Sequence, residues 1–158
     1  MTLIGVISDT HGLLRAEAVE ALRGVDLIIH GGDIDTPEVI AALRELAPVT
    51  AVRGNCDRGD WAEAYPLWQR VTVEEVAIFV LHDRKELPML RPENEGSCQV
   101  VISGHSHSPA MEEKDGVLYL NPGSAGRKRF KLPVTLALLR VEGVKISAEI
   151  VVLLPELH

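Results

Sequence analysis

An α/β fold, with two mixed β-sheets packed face to face and helices outside, is predicted by three features of the chain. The first third alternates short apolar runs with helix-patterned segments, β-α-β-α-β, the signature of a parallel sheet covered by helices. The second half reads as strands paired around tight turns, which adds antiparallel strands to that parallel core. At 158 residues, 46% hydrophobic and 25% charged, the chain suits one well-buried domain spanning 1–158.

Each element has a local reason. The apolar run from Leu3 to Ser8 fits a buried strand. Residues from Leu13 to Arg23 carry apolar side chains at helical spacing and close on Gly24. A second strand covers Asp26 to His30 and ends in Gly31-Gly32. Thr36-Pro37 opens a second helix to about Leu46, since proline suits the first turn and threonine or Asp35 can cap it. Val49 to Arg53 makes the third strand. Gln69 to Glu74 and Val76 to Leu81 then form an antiparallel hairpin, and Pro88 and Pro92 limit any following helix to a short piece. Val100 to Ser103 is one more short strand. The runs Met111 to Lys114 and Val117 to Leu120 flank Asp115-Gly116, a strong hairpin signal. Val134 to Val141 and Lys145 to Leu153 pair likewise around Glu142-Gly143.

Bulk composition excludes several function classes. No stretch of 18 apolar residues is present, so no membrane span is implied, and the N-terminus reads as a strand instead of a signal peptide. Cys56 and Cys98 are too few for a disulfide framework, and a reducing cytoplasm is expected. A formal net charge of −7 argues against general nucleic-acid or anionic-membrane binding. The exception is a basic cluster, Arg127, Lys128, Arg129 and Lys131. Arg127 and Arg129 are therefore candidates for clamping a substrate phosphate, against the plainer reading of a solvated run or subunit contact. Trp61, Tyr65 and Trp68 either pack over the third strand or supply a homo-oligomer contact.

Seven potential ligands of hard divalent metals follow strand-like runs. They are Asp9 and His11 in S-D-T-H-G, Asp33 in G-G-D-I-D, Asn55 in G-N-C-D, His82 in V-L-H-D, and His105 and His107 in G-H-S-H-S-P. A parallel sheet gathers the carboxyl ends of its strands in one crevice, so five scattered segments can converge. Two histidines two residues apart in extended backbone project to the same side, and their arrival together from a loop has little structural use. Asp33 can bridge two cations about 3.5–4 Å apart, because a carboxylate has two oxygens. Asp35 is the better capping residue, which leaves Asp33 without a structural job. His30 belongs to the sheet. Asp57 either orients a ligand imidazole or shapes its turn.

The ordered set D-x-H, G-D-x-x-D, G-N-x-D, a lone histidine after a strand, and G-H-x-H resembles the calcineurin-like metallophosphoesterase family across Asp9 to His107. Asn121-Pro122-Gly123-Ser124 is also similar to a late segment of its small, cap-less prokaryotic branch, the YfcE-like phosphodiesterases. The resemblance implies one metal held by Asp9, His11, Asp33 and His107, and a second held by Asp33, Asn55, His82 and His105. Asp33, Asn55 and His105 are the residues it would have carry the reaction. Two positions depart from the family pattern. Cys56 stands where many members have a histidine that protonates the leaving oxygen, and Asp83 follows His82 where relatives often read H-G-H.

Charge arithmetic supplies a mechanism. Two carboxylates against two divalent ions leave about +2 at the centre, or about +1 with a bridging hydroxide. That residue of positive charge suits a singly charged phosphodiester, attacked in line by the metal-bridging hydroxide. Oxygen and imidazole donors without thiolate favour Mn²⁺, with Fe²⁺, Ni²⁺ or Zn²⁺ as alternatives. The expected function is a dinuclear metal-dependent phosphodiesterase acting on a small phosphate ester. The alternatives are phosphomonoesterase or nuclease activity, or a non-catalytic interaction scaffold of the kind a retromer subunit makes of this fold.

Overall fold

The computed structural model describes residues 1–90, 97–128 and 131–154; Pro92 and Arg129 lie outside them. Two five-stranded mixed sheets form the body. The first contains β1 (Thr2–Ile7), β2 (Leu27–His30), β3 (Val49–Ala51), β9 (Val134–Glu142) and β10 (Lys145–Leu154), in the order β10-β9-β1-β2-β3. The second contains β4 (Trp68–Val73), β5 (Val76–Leu81), β6 (Val100–Ile102), β7 (Ala110–Lys114) and β8 (Val117–Asn121), in the order β4-β5-β6-β8-β7. Each sheet has a parallel trio, β1-β2-β3 running out to one edge of the first and β5-β6-β8 in the middle of the second. Antiparallel strands complete the edges.

Strand alternation sorts the apolar side chains into three layers. Ile4 and Val6 of β1 meet Val76, Ile78 and Val80 of β5 in the core between the sheets, with Ile102, Leu139 and Val141. The next residues along face outward. Ile7 and Ile28 pack with Leu22, Ile40 and Leu43 beneath α1 (Ala16–Ala21) and α2 (Pro37–Arg44). On the other side Phe79 and Leu81 pack with Trp68, Leu87 and Leu90, the last two from the one-turn α3 (Leu87–Leu90). This is the layered α/β sandwich expected from sequence. Phe79, fully buried, stacks on Trp68 with centroids 5.2 Å apart. Trp61 and Tyr65 pack into the layer under the helices, where Val49 and Ala51 of β3 also lie. All three aromatics are thus engaged within the chain.

Two helical expectations change. The first helix starts at Ala16, not Leu13, because Arg15 is extended (ψ 148) and sends its Nε to Gly126 O at 2.8 Å. The second has Thr36 at its N-cap with no side-chain capping bond, and Asp35 does not cap it either. Asp115-Gly116 does form the predicted turn, with φ positive at both residues (53 and 78) as a two-residue primed turn requires.

Candidate metal centre

The parallel strands of both sheets end on the same side, and the loops leaving them carry the candidate ligands. Asp9 and His11 follow β1, Asp33 follows β2, Asn55 follows β3, His82 follows β5, and His105 and His107 follow β6. Two triads result. Donor atoms of Asp9, His11 and His107 lie within 4.8 Å of one another, and so do those of Asp33, His82 and His105. Asp33 Oδ2 joins the triads, 3.1 Å from His82 Nε2 and 3.8 Å from His11 Nε2. His107 Nε2 stands 3.3 Å from His11 Nε2 and 3.4 Å from Asp9 Oδ1.

Backbone strain marks the same place. Eight non-glycine residues among those described have positive φ, and six of them are Asp9, His11, Asp33, Asp35, His105 and His107. The other two, Glu74 and Asp115, sit in hairpin turns. A left-handed non-glycine residue costs about 1–3 kcal/mol and persists where its surroundings impose it. Here the imposition comes from close loop packing. A Cβ on Gly54 would collide with the Asp33 amide and carboxylate, and one on Gly104 would collide with Ser8 Oγ and, at 2.6 Å, with Asp9 Oδ2.

Each donor is held by one atom and left open at another. Asp9 Oδ2 accepts from Ser8 Oγ at 2.8 Å and His105 N at 3.1 Å, while its Oδ1 is buried without a partner. Asp33 Oδ1 accepts from Cys56 N at 2.8 Å, leaving Oδ2 toward the histidines. His82 Nδ1 donates to Gly31 O at 2.8 Å, which points Nε2 inward. Nε2 is within ion-pair distance of Asp33 but without hydrogen-bond geometry, and it too is a buried, unpartnered atom, as is His107 Nδ1. Unsatisfied buried polar atoms are expensive, and two of these, Asp9 Oδ1 and His82 Nε2, face each other at 3.9 Å. A divalent cation would satisfy them, so the residues fit the metal that the donor set implies.

Asp35 was missed as part of this site. Its carboxylate lies 3.4 Å from His11 Nδ1, the position from which a carboxylate orients a liganding imidazole. The signal in the sequence is the D-x-D of G-G-D-I-D, whose second carboxylate can serve a helix cap or an imidazole equally well. Of the two roles open to Asp57, it takes the loop-shaping one: among the described residues it hydrogen-bonds no imidazole. Its two oxygens accept from four backbone amides, Asp33 (3.0 Å), Ile34 (2.8 Å), Asp35 (2.8 Å) and Gly54 (2.9 Å). It therefore pins the Asp33 loop to the Asn55 loop. His30 is fully buried, and burial holds its pKa down to about 4, so it stays neutral. It accepts from Gly32 N at Nδ1 and bonds Thr10 Oγ1 through Nε2.

The remaining candidates are less engaged. Asn55 is exposed, its Nδ2 donating to Cys56 Sγ at 3.6 Å. Burial and the surrounding Asp33 and Asp35 charges push the Cys56 thiol up, which keeps it neutral and makes it a weaker acid. Asp83 Oδ2 stands 3.8 Å from His105 Nε2, adding the negative charge that the sequence implied. Arg127 is exposed, beside Gly126, whose Cβ would strike Thr10 O; Arg129 lies outside the described residues. The late N-P-G-S segment has a definite task. Asn121 Nδ2 donates to Gly104 O and Ser106 Oγ, both at 3.0 Å, and Ser124 Oγ donates to Asp9 O at 3.0 Å.

The family model for the calcineurin-like phosphoesterase superfamily domain matches residues 2–143. The chain belongs to this superfamily. A probable metallophosphoesterase of Methanothermobacter thermautotrophicus is 39% identical, over 94% of this chain and 91% of that one. Phosphodiesterase YfcE of Escherichia coli is 30% identical, over 84% of each. The chain is thus a metal-dependent phosphoester hydrolase by family. Chaetomium thermophilum Vps29 superposes with a TM-score of 0.76 over 96% of this chain and 97% of its own, at 21% identity. That likeness concerns the fold and carries no argument about activity.

Protonation gives a direct prediction. Burial opposes charging His82, but the Asp33 carboxylate and the Asp9 charge outweigh it and raise its pKa to about 9. Burial also opposes ionising Asp33, yet His82 and the Cys56 amide lower its pKa to about 2. At pH 7 the metal-free pair is therefore a protonated imidazole beside a carboxylate. A cation taking His82 Nε2 must displace that proton, so affinity should climb with pH until about 9 and fall up to tenfold per unit below it. Calorimetric Mn²⁺ titrations in buffers of different ionisation enthalpy should show about one proton released. No release at pH 7 would refute the assignment.

Proposed function

We propose that the chain is a dinuclear metal-dependent phosphodiesterase, with Asp33 as the shared ligand. The supporting observation is that a single carboxylate oxygen, Asp33 Oδ2, faces a histidine of each triad. Asp9, His11 and His107 would hold one ion beside Asp33; His82, His105 and Asn55 would hold the other. Mn²⁺ is the first choice for oxygen and imidazole donors, ahead of Fe²⁺, Ni²⁺ or Zn²⁺. When bound, such ions supply Lewis-acid chemistry: they acidify water into a nucleophile and neutralise charge on the phosphoryl oxygens.

The chain's own residues do the positioning. Asp57 fixes the Asp33 loop, Asp35 orients His11, and Gly31 O orients His82. His105, with a side chain 47% exposed, lies at the border with solvent, where substrate would arrive. Cys56, a thiol held in its neutral form, is a weaker proton donor than an imidazolium, so esters of acidic alcohols, which leave without protonation, should react fastest. Two unpaired cysteines fit a reducing, cytoplasmic setting.

Charge favours the diester. Beyond Asp9 and Asp33, the carboxylates of Asp35 and Asp83 lie within 4 Å of ligand histidines. They lower the net positive charge, which costs a doubly charged monoester more than a singly charged diester. With Mn²⁺ added to metal-free protein, kcat/KM for an aryl phosphodiester should exceed that for the matching monoester by about tenfold or more. A monoester turned over equally well would overturn the diester assignment.

A further inference from the structure

A cavity of about 560 Å³ adjoins the metal centre, with His105 on its wall. Its wall includes Gly104 and His105 from the ligand loop together with Arg84, Glu112, Tyr119 and Pro88. Arg84 Cζ stands 4.0 Å from the centroid of the Tyr119 ring, and Glu112 Oε2 holds Arg84 Nη1 at 3.0 Å. The guanidinium is thus fixed from two sides before any ligand arrives. Tyr119 is half-buried, packed on the Phe79–Leu81 layer. Asn121, which also lines the cavity, is committed to the Gly104 and Ser106 loop.

We propose that this cavity is the ester-arm pocket of the enzyme, and that it takes a planar, uncharged ring-bearing alcohol of the aryl or nucleoside type. The inference rests on the phosphodiesterase reading for what sits at His105, but its chemistry comes from the pocket. A guanidinium held over a tyrosine ring is a flat, pre-ordered platform, and flat rings stack on such platforms at little entropic cost. The wall is formally neutral, Arg84 and Lys85 against Asp83 and Glu112, so it offers no net attraction to a second phosphate. Asp83, 3.8 Å from His105, further disfavours an extra anion next to the reacting phosphate. A phosphodiester with one charge and one ring meets both conditions; a short alkyl diester meets only the first, and a polyphosphate meets neither.

Binding separates this claim from catalysis. The full chain, loaded with Mn²⁺, is titrated calorimetrically with diphenyl phosphate, the methyl ester of thymidine 5′-monophosphate, and diethyl phosphate. All three carry one negative charge. At least one ring-bearing ester should bind about tenfold tighter than diethyl phosphate, and the tighter of the two identifies the pocket as aryl or nucleoside. Tyr119→Ala and Arg84→Ala should each remove most of that preference, while Tyr119→Phe should keep it. Equal binding of all three esters, or a preference untouched by Tyr119→Ala and Arg84→Ala, overturns the pocket. Ring preference without any Mn²⁺-dependent hydrolysis would support the pocket and sink the diesterase reading. Hydrolysis without ring preference would do the reverse.

Discussion

Asp33→Ala should abolish Mn²⁺-dependent phosphodiester hydrolysis, with kcat/KM falling at least about a thousandfold. The carboxylate is nearly inaccessible at 2% exposure, and it has one oxygen tethered by Cys56 N and the other facing His11 and His82. Alanine removes the group proposed to serve both triads, so on that reading two metal sites should fail together. His82, left beside an empty position, would also lose the partner that keeps it charged. The loss should appear in metal stoichiometry as well as in rate: elemental analysis of the Mn²⁺-saturated variant should find fewer than two ions. Asp33→Asn keeps the shape and the Cys56 contact while removing the charge, so an inactive but folded Asn variant separates charge from packing. Full activity in either variant would end the bridging assignment.

Much of the centre was legible because donor type and strand position coincide. Asp9, Asp33, His82 and the His105–His107 pair each follow an apolar run, and parallel strands of both sheets end at one edge. The hairpins were legible for a similar reason, since Asp115-Gly116 specifies its own turn geometry. Residues whose role depends on a neighbouring loop were harder to read. Asp35 occupies a plausible capping position, but its φ of +71 takes it out of capping geometry, and its carboxylate lies beside His11 instead. The sequence leaves Asp57 between imidazole orientation and turn shaping, because its four amide partners lie on two different loops, 3 to 24 positions away. The start of α1 was misplaced by three residues, since Leu14 packs inward without being helical. Periodicity cannot distinguish an apolar loop residue from the first turn of a helix.

Asp57→Ala should be the most damaging substitution outside the ligand set. The side chain is 5% exposed, and it is the acceptor for the amides of Asp33, Ile34, Asp35 and Gly54. Removing it strands several buried donors at once, at a cost of about 3 kcal/mol or more in stability. The same four bonds hold the Asp33 loop in its left-handed conformation, φ 58 at Asp33 and 71 at Asp35. Without them the strained backbone should relax, and Asp33 Oδ2 should drift from its place between His11 and His82. Metal affinity should therefore drop even though no ligand has been touched. Asp57→Asn supplies the control, because one carbonyl oxygen can still accept while the amide nitrogen repels the facing N–H groups. It should fall between wild type and alanine in both urea midpoint and Mn²⁺ affinity. If Asp57→Ala unfolds at the wild-type midpoint and binds Mn²⁺ as tightly, the four-amide clamp does not position this centre.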